Sequence, residues 1–154
     1  MSEIYRFKKI FIILCVFAAC FFRVSADEVE KAFENLKNSP HNAQNHFVVA
    51  LINFFNNDME KALENVVNAL RLDSSIIFKT DYGMLENLLV YVKSVALKSE
   101  NFQTRYNGVI LLQKIGQNEI ARQELKKMLI RTKSSEEELI IRRTLNSLEF
   151  LSSL

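Results

Sequence analysis

The stretch Asn42–Leu72 reads NAQNHFVVALINFF (42–55), NND (56–58) and MEKALENVVNALRL (59–72). Two apolar patterns of helical period face each other across a three-residue polar break, which predicts an antiparallel helical hairpin. Its outgoing half recurs. With Ala62 set over Ala121, MEKALENVVNAL matches NEIARQELKKML, and Glu60, Val66, Ala69 and Leu70 fall over Glu119, Leu125, Met128 and Leu129. The shared pattern is a small residue, an apolar one four on, then apolar residues three and four beyond. It describes one helix face with a small residue where another helix crosses closely. Ala32 and Leu36 echo the start of the same pattern.

Outward from the hairpin, breakers are few: glycine occurs only at 83, 108 and 116 and proline only at 40. Long patterns of helical period with so few breakers, and no sustained strict alternation, predict an all-α protein of about seven helices with short loops. The first helix is expected over Asp27 to Asn38, with Val29, Ala32, Phe33 and Leu36 as its stripe and Asn38-Ser39-Pro40 as its stop. Asn57 or Asp58 would cap the third. After Asp73-Ser74-Ser75 comes a less regular IIFKT stretch, then a fourth helix over Asp81 to Leu97. Asn101 to Ile115 and Gln117 to Thr132 read as the fifth and sixth, turning at Gly116. The seventh runs from Ser135 to about Phe150, with Ser135 and Glu138 at capping-box spacing.

This arrangement resembles the tetratricopeptide repeat family, whose unit is a helix pair of about 34 residues. Ala62 and Ala121 match the small residue that opens the second helix of each pair, and Ala69 matches a second small residue where Met128 departs. Asn57 and Gly116 match the turn within the pair. Pro40 stands where a proline commonly ends one, with Ser74 in place of the next. The aromatic and small residues of the first helix are met loosely, by Phe47 with Ala50 or Tyr106 with Gly108. Ala62 and Ala121 are 59 residues apart, so about 25 residues around the fourth helix are extra. The chain then reads as a short irregular array of antiparallel hairpins: two good repeats, an N-terminal half-repeat, an inserted helix and a terminal cap.

The first 26 residues stand apart from this domain (27–154). Arg6, Lys8 and Lys9 precede an uncharged run from Ile10 to Phe22, and Val24 and Ala26 put small side chains before Asp27. This is the pattern of a secretory signal peptide cut between Ala26 and Asp27. The run is short for a bilayer, which needs roughly 17–25 residues. Two other fates fit the segment: an uncleaved membrane anchor, or lipidation of Cys20 after Phe17-Ala18-Ala19 in a loose lipobox. The expected address is the periplasm or cell envelope, with membrane contact only through this segment.

The segment carries four of the 20 basic and one of the 18 acidic side chains, leaving 16 and 17. The basic balance therefore belongs to the export signal and gives no argument for nucleic acid. Cys15 and Cys20 also lie there, so the domain has no disulfide. His41 and His46 are five apart with no third ligand, and no phosphate loop, nucleophile elbow or metalloprotease helix appears. Glu136-Glu137-Glu138 suits a solvated helix start. No enzyme, metal or cofactor is expected. Residues 27–100 carry seven basic and eleven acidic side chains and residues 101–154 nine and six, so the halves are −4 and +3.

The helix over 43–55 is apolar nearly all round, with Asn53 almost alone among polar residues. Such a helix must be covered on more than one side. Either neighbouring helices cover it, as repeat packing would, or it offers a groove to a protein partner or peptide. The family resemblance implies that first helices line a concave binding surface. On it the groove residues would be Gln44, Phe47, Leu51, Phe54 and Phe55, then Gln103, Tyr106, Ile110, Gln113 and Lys114.

Overall fold

The computed structural model describes residues 25–79 and 82–152, and these form seven α-helices and no strand. Residues 1–24, with Cys20, lie outside them. The helices are α1 (Ala26–Asn38), α2 (Ala43–Phe55), α3 (Met59–Leu72), α4 (Tyr82–Ser94), α5 (Phe102–Lys114), α6 (Asn118–Arg131) and α7 (Ser135–Ser152). Short 3-10 turns at Ser74–Lys79 and Ala96–Lys98 join α3 to α4 and α4 to α5.

Two pairs repeat in register. A shift of 59 residues carries Ala43 onto Phe102, Phe55 onto Lys114, Met59 onto Asn118 and Leu72 onto Arg131, so every boundary of α2 and α3 falls on one of α5 and α6. The local chemistry repeats with the boundaries. Asn42 and Asn101 cap the first helices by accepting amide bonds from the first turn. Asn57 (φ 60°) and Gly116 (φ 83°) take the left-handed conformation that turns the chain. Asp58 then donates its amide to the Asn53 carbonyl at 2.8 Å, and Gln117 to that of Leu112 at 2.9 Å. Even a side-chain tie recurs: His46 Nε2 lies 2.9 Å from the Pro40 carbonyl, and Arg105 Nε donates to the Ser99 carbonyl at 2.9 Å. Each fastens a first helix to the loop before it.

The helix preceding each pair also takes one place. Ala32 of α1 is buried with Val49 and Ile52 of α2, flanked by Val29, Leu36 and Val48. At Gly108, the counterpart of Val49, an added Cβ would meet Val92 Cγ1 at 3.2 Å and Ala96 Cβ and Leu97 Cδ2 at 3.5 Å. The α4 segment therefore packs on α5 as α1 packs on α2. Like α1 before α2, it precedes and covers the first helix of a pair. The leading helix escaped the sequence reading because its packing residues differ, Ala32 against a glycine contact.

The helix α2 is covered by α1 on one side and by α3 on the other, which accounts for its nearly continuous apolar sequence. On α3 two faces are buried, Ala62/Val66/Ala69 and Leu63/Val67/Leu70, because α4, α5 and the 3-10 turn with Ile76 all pack against it. On α6 only Ala121/Leu125/Met128 are buried. The C-terminal α7 lies on α6 through a stripe of Ile141, Leu145 and Leu148.

Element edges differ from expectation at several places. The first helix begins at Ala26, because Ser25 caps it and forms a reciprocal capping box with Glu28. The fourth stops at Ser94, whose hydroxyl donates back to the Val90 carbonyl at 2.6 Å, and a 3-10 turn follows. At the start of α7 the accepting hydroxyl is that of Ser134, from the Glu137 amide at 3.4 Å, one residue ahead of Ser135.

Candidate partner-binding surface

The expected groove residues occupy one register: Gln44, Phe47, Leu51, Phe54 and Phe55 fall on Gln103, Tyr106, Ile110, Gln113 and Lys114 under the 59-residue shift. Both first helices thus present the same face. Its depth varies along the helix. Phe47 and Ile110 are 6% exposed and belong to the core, so neither offers surface to a partner. Leu51, Phe54, Tyr106 and Gln113 are half-buried, while Gln44, Phe55, Gln103 and Lys114 are exposed.

The two halves of the surface differ chemically. In the first unit, Phe54 and Phe55 meet edge to face with ring centroids 5.6 Å apart, and Phe55 remains 54% exposed. Such a pair is a rigid apolar contact with little side-chain entropy left to lose. In the second unit, Tyr106 is held from three sides. Phe102 stacks on it at 5.6 Å, Arg71 of α3 stands 5.7 Å above its ring, and its hydroxyl lies 2.8 Å from Thr144 Oγ1 of α7. Here α7 reaches the first-helix face through Thr144. The accessible candidate is therefore the Leu51, Phe54 and Phe55 end of α2.

Comparison with family models, with curated proteins and with solved structures gives no match. The geometry alone carries the functional reading.

Two of the shifted titratable groups serve helix ends. Bonds from the Ser25 amide and hydroxyl hold the Glu28 carboxyl below its usual range. The Lys61 side chain and amide do the same for Asp58, the cap of α3. Burial pushes the Tyr91 phenol up, with the charges of Glu60 and Asp58 adding to it. None of these groups faces another as an acid and base would. His46 bridges the Pro40 carbonyl and Asn65 Oδ1 (3.1 Å) and so belongs to the scaffold.

Small open cavities occur among the described residues. One of about 180 Å³ lies between α1 and α2, lined by Glu28, Lys31, Ala32, Asn35, Asn45 and Val48. Another of about 170 Å³ lies where α5, α6 and α7 meet, with Arg105, Arg131, Glu100 and Glu137 on its walls. Both fall below the roughly 300–1,000 Å³ of small-molecule sites. Among the described residues no His, Cys, Asp and Glu group could hold a metal, and no helix is long and apolar enough to cross a membrane.

Proposed function

We propose that the chain is a non-catalytic protein–protein interaction scaffold of tetratricopeptide-like design, exported to a bacterial cell envelope. The observation that carries this reading is the duplicated pair, which sets two first-helix faces in one register. The partner is a protein segment or peptide with an apolar side chain for the Leu51, Phe54 and Phe55 surface. Nothing in the design calls for a cofactor. Crosslinking pull-down from the native envelope fraction tests it, comparing the parent with Phe54→Asp and Phe55→Asp. The expected outcome is loss of the partner band with an unchanged far-UV circular dichroism spectrum and melting curve. Equal capture by both folded variants removes the surface from the proposal.

A second reading keeps the N-terminal segment as a tether, by an uncleaved anchor or by lipid on Cys20. The observation that favours it is the capping box: Ser25 lies before the Ala26–Asp27 bond, so cleavage there removes the cap of α1. The intact mass of the protein from its own envelope discriminates. A start at Asp27 supports the free scaffold, and a start at Met1 or at acylated Cys20 supports the tethered one.

A further inference from the structure

Arg105, in the first turn of α5, is only 8% exposed. A guanidinium keeps its charge whatever surrounds it, and a buried charge without a counter-ion is costly. Its Nε donates to the Ser99 carbonyl at 2.9 Å, and Nη2 donates to the same oxygen. Those bonds use one side of the fork. The end-on side, formed by Nη1 and the second Nη2 hydrogen, has no acceptor among the described residues. None of their ion pairs includes Arg105 either.

The duplicated pair shows that fastening the loop does not require such a residue. At the equivalent place His46 holds the Pro40 carbonyl, and its other ring nitrogen meets Asn65 Oδ1 at 3.1 Å. The counterpart of Asn65 is Glu124, whose carboxylate is taken by Lys127 at 2.6 Å rather than by Arg105. Arginine at 105 thus brings donors that the fold leaves unused. Among the described residues, the fully buried side-chain atoms without a partner belong to Asn53, Gln117 and Arg122, so Nη1 of Arg105 remains reachable.

Arg105 lines the cavity of about 170 Å³ where α5, α6 and α7 meet. Arg131, exposed and in no ion pair, lines it too, together with Glu100 and Glu137. The Thr132 hydroxyl donates to the Glu137 carboxylate. Two arginines balance two glutamates, so a singly charged group enters without net repulsion, whereas a dianion meets two carboxylates. The cavity has room for a small group only.

We propose that this cavity is a carboxylate site, in which the end-on side of Arg105 holds both oxygens and Arg131 adds a second cation. Two parallel N–H to oxygen bonds make this the strong geometry for that pair. The carboxylate belongs to a small free acid or to an acidic side chain of a docked protein segment. No residue of the Leu51, Phe54 and Phe55 surface takes part, so this site is tested apart from that one.

The test is an NMR titration of the full chain, as cells yield it, at constant ionic strength. Sodium acetate is expected to give a saturable shift at Arg105 Nε–H and at the Ser99 and Thr132 amides, and sodium chloride none. Arg131→Gln, at an exposed position, should fold as the parent does and weaken acetate binding by about two- to fivefold. Arg105→Lys keeps the charge without the fork and should weaken it by about tenfold or more, read at the two amides. The α-amide of N-acetylglutamic acid separates the sources: binding as tight as acetate assigns a side chain, and its exclusion while acetate binds assigns a free acid. No saturable response to acetate overturns the proposal, as does binding that both arginine variants leave unchanged or binding of inorganic phosphate tighter than acetate. Acetate binding that appears only in Glu100→Gln/Glu137→Gln also overturns it, since a glutamate of the chain is then the counter-ion of Arg105.

Discussion

Gly108→Val reads out the packing of the α4 segment on α5. The Cβ alone would already lie 3.2 Å from Val92 Cγ1 and 3.5 Å from Ala96 Cβ and Leu97 Cδ2. Two further methyl groups have no free volume there, and overpacking of this kind costs about 1–3 kcal/mol. Valine recovers only a few tenths of a kcal/mol over glycine in helix propensity, so the packing term decides the sign. The expected net loss is about 1–2 kcal/mol, read as a lower urea midpoint by far-UV circular dichroism with an unchanged slope. Val92→Ala, alone destabilising, opens the space that the new methyl groups need. In a double-mutant cycle the pair should couple by at least about 0.5 kcal/mol in the relieving direction. Gly108→Val as stable as the parent, or strictly additive with Val92→Ala, would refute the packing of α4 on α5.

Other perturbations address single positions. Asn53 is 6% exposed, its Nδ2 is buried with no hydrogen-bond partner among the described residues, and its counterpart in unit two is Leu112. Asn53→Leu is expected to raise stability by about 1 kcal/mol or more in chemical denaturation, since it removes a buried unpaired amide. Gln117 begins α6 without a side-chain cap where Asp58 caps α3. Gln117→Asp should add about 0.5–1 kcal/mol and Asp58→Ala should cost about as much, seen as opposite shifts in melting temperature. The carboxyls of Glu28 and Asp58 have lowered pKa values in the fold, so their stabilisation is complete above the usual carboxylate range and lost as pH falls through the lowered values. Melting temperature should therefore drop on acidification below that range, and less so in Asp58→Asn.

Much of this architecture was legible in the chain because its signals are local. The Asn42–Leu72 hairpin, the turn at Gly116 and the equivalence of Ala62 with Ala121 all rest on periodicity and turn chemistry, which neighbouring residues determine. The equivalence of α1 and α4 was not legible. Their shared role lies in which partner helix each one covers, and Ala32 against Val49 has little in common with Val92 against Gly108 as sequence. The surface was half legible for the same reason. Spacing places Phe47, Leu51 and Phe54 on one side of α2 but not how deep each one sits. Depth depends on helices distant in the chain, such as α7, whose Thr144 reaches Tyr106.

The contrast between α3 and α6 bears on where a partner can act. At the junction, α3 buries Leu63 and Val67 completely, at about 1.5–3 kcal/mol for each side chain. The corresponding α6 positions hold Arg122 and Lys126, and burying Lys126 under an apolar helix would leave an unpaired charge at a cost exceeding that gain. The packing face of α6 is instead Ala121, Leu125 and Met128, and α7 lies on this helix through Ile141, Leu145 and Leu148. Any apolar partner must then engage elsewhere, and Phe55 beside half-buried Phe54 and Leu51 is the open apolar surface that the first-helix face provides. If the proposed partner contact sits at this end of the first-helix face, Phe55→Asp should abolish capture of the partner while Lys126→Glu leaves it intact.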